Sequence, residues 1–163
     1  MKTLLLVLTI IISETIMPQN YDFEQHLYQS YDRYKENSLT HRRFKHTDII
    51  PLIDKLKHKS GFTVKVVGKS VEGREIKLIT IGKGKTKIFM WSQMHGDEPT
   101  ATAALFDIFN FINDPANKEI CSALFDRVTL YFLPMVNPDG AERFKRRNFY
   151  DIDLNRDASR LQC

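Results

Sequence analysis

The stretch KIFMWSQMHGDEPTATAALFDIFNFI, residues 87–112, has the pattern of a strand followed by a helix. Residues 87–92 are almost continuously apolar, which predicts a strand buried on both faces of a sheet. Pro99 occupies a position that the first turn of a helix tolerates. The predicted buried face of that helix consists of Ala101, Ala104, Leu105, Ile108 and Ile112. The polar residues 93–98 are therefore expected at the carboxyl end of a buried strand.

Further strands are predicted on both sides of this stretch. Residues 63–68 and 74–82 alternate or run apolar, and Glu72-Gly73 between them is typical of a hairpin turn. A short helix is expected over residues 49–56. Residues 128–136 form another apolar run, which leads into the turn Asn137-Pro138-Asp139-Gly140. Strand, helix and strand in this order indicate an α/β fold, in which ligands gather outside the carboxyl ends of the strands.

The amino-acid composition limits the classes of protein to which this chain can belong. The chain has 163 residues, of which 42% are hydrophobic and 27% charged, so it is typical of one globular domain or part of one. Collagen-like, low-complexity and fully disordered chains are excluded. A net charge of +4 is too small and too dispersed to require a nucleic-acid partner. Two cysteines are too few for a disulfide scaffold.

The N-terminal residues resemble a secretory signal peptide. Lys2 precedes an apolar run over residues 4–12, and Ser13 and Pro18 follow it. This run is about half of the roughly 20 residues that cross a bilayer as a helix, so no stable membrane span is expected. We predict a signal peptide at residues 1–17 and a secreted or periplasmic protein. A buried N-terminal strand or helix is the alternative.

An N-terminal extension is predicted over residues 18–47. Its aromatic residues fall near helical spacing between residues 21 and 39, which favours a helical or irregular segment. Residues 41–46, HRRFKH, form the first basic cluster of the chain. A solvated surface is the preferred interpretation of this cluster, and a nucleic-acid arm is the alternative.

Two groups of polar residues could carry chemistry. His95 and Glu98 are three residues apart on a loop that enters a helix, and zinc accepts imidazole and carboxylate ligands. Taken alone, this spacing is also typical of side chains that cap a helix. After the next buried strand come arginines at 143, 146, 147 and 156, and the planar guanidinium group suits a carboxylate. Together the groups could bind a substrate that offers both a carbonyl and a free carboxylate.

Residues 48–160 resemble the N-terminal half of the zinc carboxypeptidases of the A and B type. His95-Gly96-Asp97-Glu98 is similar to the motif that contributes the first two zinc ligands of that family. The run Asn137-Pro138-Asp139-Gly140, then Arg146-x-Asn148, then Asp153-Leu154-Asn155-Arg156, matches the second signature of the family in order and spacing. Three motifs in the correct order are far more specific than any one of them.

The resemblance implies a fold, a metal and a set of roles. The fold would be a mixed, largely parallel central sheet flanked by helices, and the cofactor would be Zn²⁺ held by two His and one Glu. His95 and Glu98 would be two of these ligands. Arg146 would polarise the scissile carbonyl and stabilise the oxyanion, with Arg147 and Arg143 as less favoured choices. Asn155 and Arg156 would hold the terminal carboxylate of a peptide or protein substrate, which makes the expected activity hydrolysis of C-terminal peptide bonds.

The chain departs from the family pattern in several places. Asp151 stands where many members have Gly, and Asp157 where many have Asn or Ser. The third zinc ligand of the family, a His, and its general base, a Glu, come well after the Asn-Arg pair. Seven residues follow Arg156, and none of them is His or Glu. We therefore expect residues 48–163 to be the N-terminal half of a catalytic domain, incomplete and inactive by itself.

Other functions remain open on the sequence alone. A zinc-dependent amidase or deacylase of the aspartoacylase type also uses an H-x-x-E pair. A noncatalytic peptide-binding module would keep the arginines without the metal. Nucleic-acid binding through residues 41–46 and 143–147 is not expected, because no recognised motif accompanies the basic residues.

Overall fold

The computed structural model describes residues 23–160 and residue 162. The chain divides into two compact units, residues 1–33 and 34–163. Helix α1, Phe23–Tyr34, supplies the described residues of the first unit and ends at the first residue of the second. The predicted signal peptide lies outside the described residues. Within residues 23–160, no helix is both long and apolar enough to span a membrane.

The second unit contains four strands and four α-helices among its described residues. In chain order they are α2 (His46–Leu56), β1 (Thr63–Lys69), β2 (Glu75–Gly82), β3 (Thr86–Trp91), α3 (Thr100–Asn113), α4 (Lys118–Phe125), β4 (Val128–Leu133) and α5 (Pro138–Arg143). Short 3₁₀ helices occur at Pro115–Asn117 and Leu154–Arg156. The predicted turn at residues 137–140 is thus the start of a short helix.

The strands form one sheet in the order β1-β2-β4-β3. The predicted mixed sheet flanked by helices is confirmed. Parallel pairing among the described strands is confined to β3 and β4, and the other two pairs are antiparallel. The short turn between β1 and β2 allows only an antiparallel hairpin, whereas the helical connection from β3 to β4 permits parallel pairing. The expected predominance of parallel strands therefore does not hold in the described part of the sheet.

A core of apolar side chains fixes the two central strands. Phe109 of α3 packs edge-to-face on Phe132 of β4, with ring centroids 5.0 Å apart. Phe106 and Phe62 make similar contacts with Phe109, at 5.5 and 6.1 Å. Such edge-to-face pairs contribute beyond the area they bury. The loop that follows β4 is consequently attached to the best-packed strand of the sheet.

Strand β3 differs from its prediction. We expected it to be buried on both faces, but Ile88, Phe89 and Trp91 are 41%, 51% and 53% exposed. The strand lies at the edge of the sheet, where its inner neighbour is β4. An apolar run shows that a strand is suited to burial. Whether the strand is buried depends on which other elements of the chain pack against it. Phe89 and Trp91 contact each other instead, with ring centroids 5.5 Å apart.

The buried face of α3 also differs from its prediction. Ala101, Ala104 and Ile108 are exposed, although Leu105 is buried as expected. The buried face consists of Thr102, Leu105, Phe106 and Phe109. The larger aromatic rings bury more apolar area than alanines do, so they decide which face turns inward. Thr102 is accommodated because its hydroxyl donates to Gln93 Oε1 and lies within hydrogen-bond distance of Ser92 Oγ.

Residues 34–45, assigned by sequence to the extension, pack within the second unit. The backbone amide of Glu36 donates to Asp107 of α3 at 2.7 Å, and Leu39 and Phe44 are buried in the core. The basic stretch at 41–46 leaves Arg42, Arg43 and Lys45 exposed around the buried Phe44.

Candidate functional site

The loops that follow β3 and β4 meet at one end of the sheet. The backbone amide of Ser92 donates to Leu133 O, and the amides of Val136 and Asn137 donate to Ser92 O and Gln93 O, all at 3.1 Å. These bonds continue the parallel β3–β4 register beyond the strands. The loop that carries His95 is therefore aligned with the loop that leads to the arginines.

A close contact between two glycines brings the loops together. A Cβ atom placed on Gly96 would lie 2.0 Å from the carbonyl carbon of Gly140 and 2.3 Å from the nitrogen of Ala141. Both atoms belong to the backbone, which cannot give way as a flexible side chain would. Gly96 thus allows the loop after β3 to pack directly on the N-terminus of α5.

His95 lies between two carboxylates. Its Nδ1 is 3.0 Å from Glu98 Oε2, and its Nε2 is 3.1 Å from Asp153 Oδ1. If Nδ1 bound a metal, the carboxylate of Asp153 would hold the proton on Nε2 and fix the orientation of the ring. An imidazole nitrogen and a carboxylate oxygen that converge in this way are ligands suited to zinc.

Arg146 joins the same group of side chains. Its Nε donates to Asp153 Oδ2 at 3.1 Å, and its NH1 donates to Glu98 Oε1 at 3.2 Å. We call His95, Glu98, Arg146 and Asp153 the site cluster. The neighbouring arginines point elsewhere: Arg147 donates to the backbone carbonyl of Asp151, and Arg143 to Glu72.

Asp153 is a member of the cluster to which the sequence assigned no role. Burial raises the pKa of its carboxyl, and hydrogen bonds from His95, from Arg146 and from the Asn155 amide lower it by more, so that the pKa lies below its usual value. The carboxylate form therefore predominates near neutral pH and can hold both the imidazole ring and the guanidinium group. Its position two residues before Asn155 in the matched motif was the only signal for it in the sequence.

Asn155 and Arg156 lie beside the cluster on the 3₁₀ helix at Leu154–Arg156. The backbone amide of Asn155 donates to Asp153 Oδ1 at 3.0 Å. Arg156 lines a cavity of about 470 Å³ together with Asp153, Arg147 and Arg160. Asp153 thus borders both the cluster and this cavity, whose charged lining consists of these three arginines and of three aspartates, at positions 151, 153 and 157.

Two possible metal-ligand atoms, His95 Nδ1 and Glu98 Oε2, lie together on one side of the imidazole ring. Among residues 23–160, no group of three or more His, Cys, Asp or Glu side chains is arranged to hold a metal ion. Asp153 does not join Glu98 as a ligand because it contacts the opposite nitrogen of the imidazole ring. His46 pairs with the backbone carbonyl of Glu75, and His41 accepts from the amide of Arg43. The donor types fit zinc, but the described residues give only part of a complete ligand set.

Asp151 occupies a backbone conformation that favours glycine. Its φ is +61°, and it closes the turn between Asn148 and Ile152. Side chains in this left-handed region cost up to about 1–2 kcal/mol, and less for Asp than for most residues. Glycine would adopt this conformation without that cost.

We expect Asp151→Gly to raise the free energy of unfolding by up to about 1 kcal/mol. Glycine removes the backbone strain at this positive φ, and the backbone carbonyl of residue 151 can still accept the hydrogen bond from Arg147. Urea denaturation would measure the change. The matched control is Asp126→Gly, at a position with φ of −70°, where glycine should destabilise the chain. Equal destabilisation by the two substitutions would contradict the prediction.

Comparison with known proteins identifies relatives of this chain. The family model described as zinc carboxypeptidase matches residues 49–159. Carboxypeptidase SOL1 of Arabidopsis thaliana is 35% identical over 98 residues, which cover 56% of this chain and 20% of that protein.

Solved structures are similar to the chain over most of its length. A metallo-carboxypeptidase from Burkholderia cenocepacia matches with a TM-score of 0.62 and 25% identity, over 70% of this chain and 33% of that one. A metallo-carboxypeptidase from Pseudomonas aeruginosa, in complex with (2-guanidinoethylmercapto)succinic acid, matches with a TM-score of 0.61 and 27% identity, over 70% and 31%. The chain thus spans between a fifth and a third of the length of these relatives. The match over residues 49–159, together with the fold, shows that this chain belongs to the zinc carboxypeptidase family.

Proposed function

We propose that this chain carries the first part of the active site of a zinc-dependent metallocarboxypeptidase, which hydrolyses C-terminal peptide bonds. The supporting observation is that Arg146 contacts Glu98 directly and is linked to His95 through Asp153, although Glu98 and Arg146 lie 48 positions apart in the sequence. If these residues had no common role, there would be no reason for a pair of possible zinc ligands, His95 and Glu98, to lie beside the guanidinium group of Arg146. In this proposal His95 and Glu98 are zinc ligands, and Arg146 acts on the scissile carbonyl.

Each residue of the site cluster has its own role in the proposed reaction. Bound zinc would polarise a carbonyl and lower the pKa of a bound water. Asp153 holds the imidazole ring of His95 in place through Nε2. The ion pair between Arg146 NH1 and Glu98 is exposed on both sides, so it contributes little and NH1 can exchange Glu98 for a substrate, while Asp153 keeps the guanidinium group in place through Nε. A fixed cation stabilises the negative charge that develops on the carbonyl oxygen.

We assign Asn155 and Arg156 to the terminal carboxylate of the substrate. The cavity beside Asp153 places Arg156 near two other arginines, and bidentate guanidinium pairs are strong and geometrically specific. The Pseudomonas aeruginosa relative is described with a succinic acid derivative, which carries carboxylates of the same chemistry. A peptide or protein with a free C-terminus is therefore the proposed substrate.

The two proposed ligands, His95 and Glu98, are not enough for efficient hydrolysis. A catalytic zinc site takes three protein ligands, and general-base catalysis contributes about 10²- to 10⁴-fold. We propose that a third ligand and a general base come from polypeptide outside this sequence, so that the 163-residue chain alone releases no C-terminal residues. Zinc-dependent release of amino acids by the purified chain would contradict this.

Carboxylate binding can be tested separately from hydrolysis. We expect the chain to bind (2-guanidinoethylmercapto)succinic acid, and Arg156→Gln to weaken this binding about 10-fold, because one charge-assisted hydrogen bond is lost. Isothermal titration calorimetry with and without Zn²⁺ would measure it. Arg127→Gln, at the opposite end of the sheet, is the control and should leave binding unchanged.

Each outcome of this titration has a defined meaning. Binding that requires Zn²⁺ supports the peptidase assignment. Binding of equal strength in the presence of a chelator would instead favour a noncatalytic peptide-binding module. If Arg156→Gln has no more effect than Arg127→Gln, the assignment of Arg156 is wrong.

We also propose that the protein is exported. The basic residue Lys2 followed by the apolar run at 4–12 supports this, because it has the composition of a signal peptide. Detection of the protein outside the cytoplasm, with its N-terminus shortened, would test the proposal.

A further inference from the structure

Asn137 lies where the loops after β3 and β4 come together. Its side chain is 2% exposed, and it caps the N-terminus of α5. The Oδ1 atom accepts a hydrogen bond from the amide of Gly140 at 2.9 Å. Asn is among the preferred N-cap residues, so this bond alone would account for its presence.

The amide nitrogen of Asn137 has a second task that capping does not explain. Nδ2 donates to the carbonyl of Met94 at 3.2 Å and to the carbonyl of Arg146 at 3.3 Å. An Asn side chain has two N–H donors, and both are used here. A serine, threonine or aspartate could cap the helix equally well but could not make both of these bonds.

The two carbonyls belong to the segments that carry the site cluster. Met94 directly precedes His95, and Arg146 is itself a cluster residue. Asn137 therefore links the backbone of the proposed metal-binding loop to the backbone of the proposed substrate-binding arginine. On the other side of His95, Gly96 packs on Gly140 of α5 without room for a Cβ atom, and the carbonyl of Gly140 accepts a hydrogen bond from the amide of Lys145, next to Arg146.

We propose that Asn137 is a positioning residue that sets the placement of His95 relative to Arg146. This inference rests on the proposed function, since it assigns Asn137 to the same site. Asn137 touches neither metal nor substrate. It acts by fixing two backbone segments, and small displacements of such groups reduce ligand affinity and catalysis strongly.

Two substitutions separate capping from positioning. Asn137→Asp keeps the acceptor for Gly140 but replaces the donor nitrogen by an oxygen that faces two carbonyls. Asn137→Ser keeps a capping hydroxyl, removes both donors and adds no charge, so it decides the question if the aspartate variant does not fold. The matched control is Asn117→Ser, because Asn117 is also buried and donates through Nδ2 to a carbonyl, that of Phe111, at 2.9 Å.

Hydrogen–deuterium exchange of the metal-free chain tests the positioning role directly. We expect faster exchange in both segments, residues 93–98 and 145–148, in the Asn137 variants and in neither segment of Asn117→Ser. Binding of Co²⁺, followed by its visible absorption spectrum, is expected to be about 10-fold weaker in the Asn137 variants, as for loss of other groups that orient metal ligands. Asn117→Ser should bind Co²⁺ as the wild type does, although its melting temperature falls.

The outcomes distinguish this inference from the proposed function. Unchanged exchange in the two segments, or Co²⁺ binding equal to that of the wild type, would overturn the positioning role alone. A wild-type chain that binds no Co²⁺ would overturn the proposed metal site, and with it any positioning role of Asn137 in that site.

Discussion

Replacing His95 with alanine is expected to weaken Zn²⁺ binding by at least about 100-fold. Loss of a residue that merely orients a metal ligand costs about 10- to 100-fold, and loss of a ligand itself costs more. With His95 gone, Glu98 would be left as a single carboxylate that faces Arg146. Competition with a chromophoric zinc indicator would measure the affinity.

The control for this experiment is His58→Ala. His58 is exposed and lies just after α2, away from the site cluster. Its removal should leave Zn²⁺ affinity unchanged, so that general binding of zinc to surface histidines can be subtracted. If His58→Ala lowered the affinity as much as His95→Ala, zinc would bind at no defined site and the proposed ligand pair would be wrong.

Replacing Asp139 with alanine is expected to lower the free energy of unfolding by about 3 kcal/mol. Asp139 is 2% exposed and accepts hydrogen bonds from Ser70 Oγ at 2.7 Å, Arg74 NH1 at 2.6 Å and the Glu72 amide at 3.2 Å. These bonds tie the turn between β1 and β2 to α5. Removing the carboxylate leaves the Ser70 hydroxyl and the Glu72 amide without their acceptor, although Arg74 keeps its ion pair with Glu72. Each buried donor left unsatisfied costs about 1–3 kcal/mol.

The pH dependence of this contribution follows from the pKa of Asp139. Burial raises that pKa, but hydrogen bonds from Ser70, Arg74 and the Glu72 amide outweigh it, so the pKa lies below its usual value. A depressed pKa in the folded state means that the stabilisation is present above the unfolded pKa, about 3.9, and is lost as pH falls through the folded pKa. Urea denaturation between pH 7 and pH 3 should therefore show the difference between wild type and Asp139→Asn shrinking below about pH 4.

Asp126→Asn is the control for the Asp139 variants, because Asp126 is exposed and pairs with the exposed Lys83. Exposed pairs contribute about 0–1 kcal/mol, so this variant should change stability little at any pH. An Asp139→Ala variant as stable as Asp126→Asn would show that the turn between β1 and β2 does not depend on the buried carboxylate.

Local patterns in the sequence predicted the secondary structure well, but not its burial. The hairpin at Glu72-Gly73 forms as expected, and the strand expected over residues 128–136 forms over 128–133, because turn residues and apolar runs act over a few residues. Whether β3 is covered depends on which element lies beside it, and residues 87–92 contain no information about that. The inward face of α3 was misassigned for a similar reason, since Phe106 and Phe109 pack against strands far away in the sequence.

In the candidate site, too, local features could be predicted from the sequence and long-range contacts could not. The spacing of His95 and Glu98 was visible, because both lie on one short loop. Three arginines fall within five positions, 143–147, and only the folded backbone shows that Arg146 alone of them contacts Glu98 and Asp153. Asp153 and Asn137 were visible as motif letters, but their contacts span 58 and 43 residues, a separation at which spacing rules give no guidance.

The contact between Gly96 and Gly140 has a consequence for protein engineering. Because the N-terminus of α5 leaves no space for a side chain on Gly96, the HGDE motif cannot be transplanted onto a different scaffold without the NPDG motif. A graft that carried His95 and Glu98 without the segment around Gly140 would lose the backbone surface on which their loop packs. Any redesign must therefore treat these two segments, which lie more than 40 residues apart in the sequence, as one module.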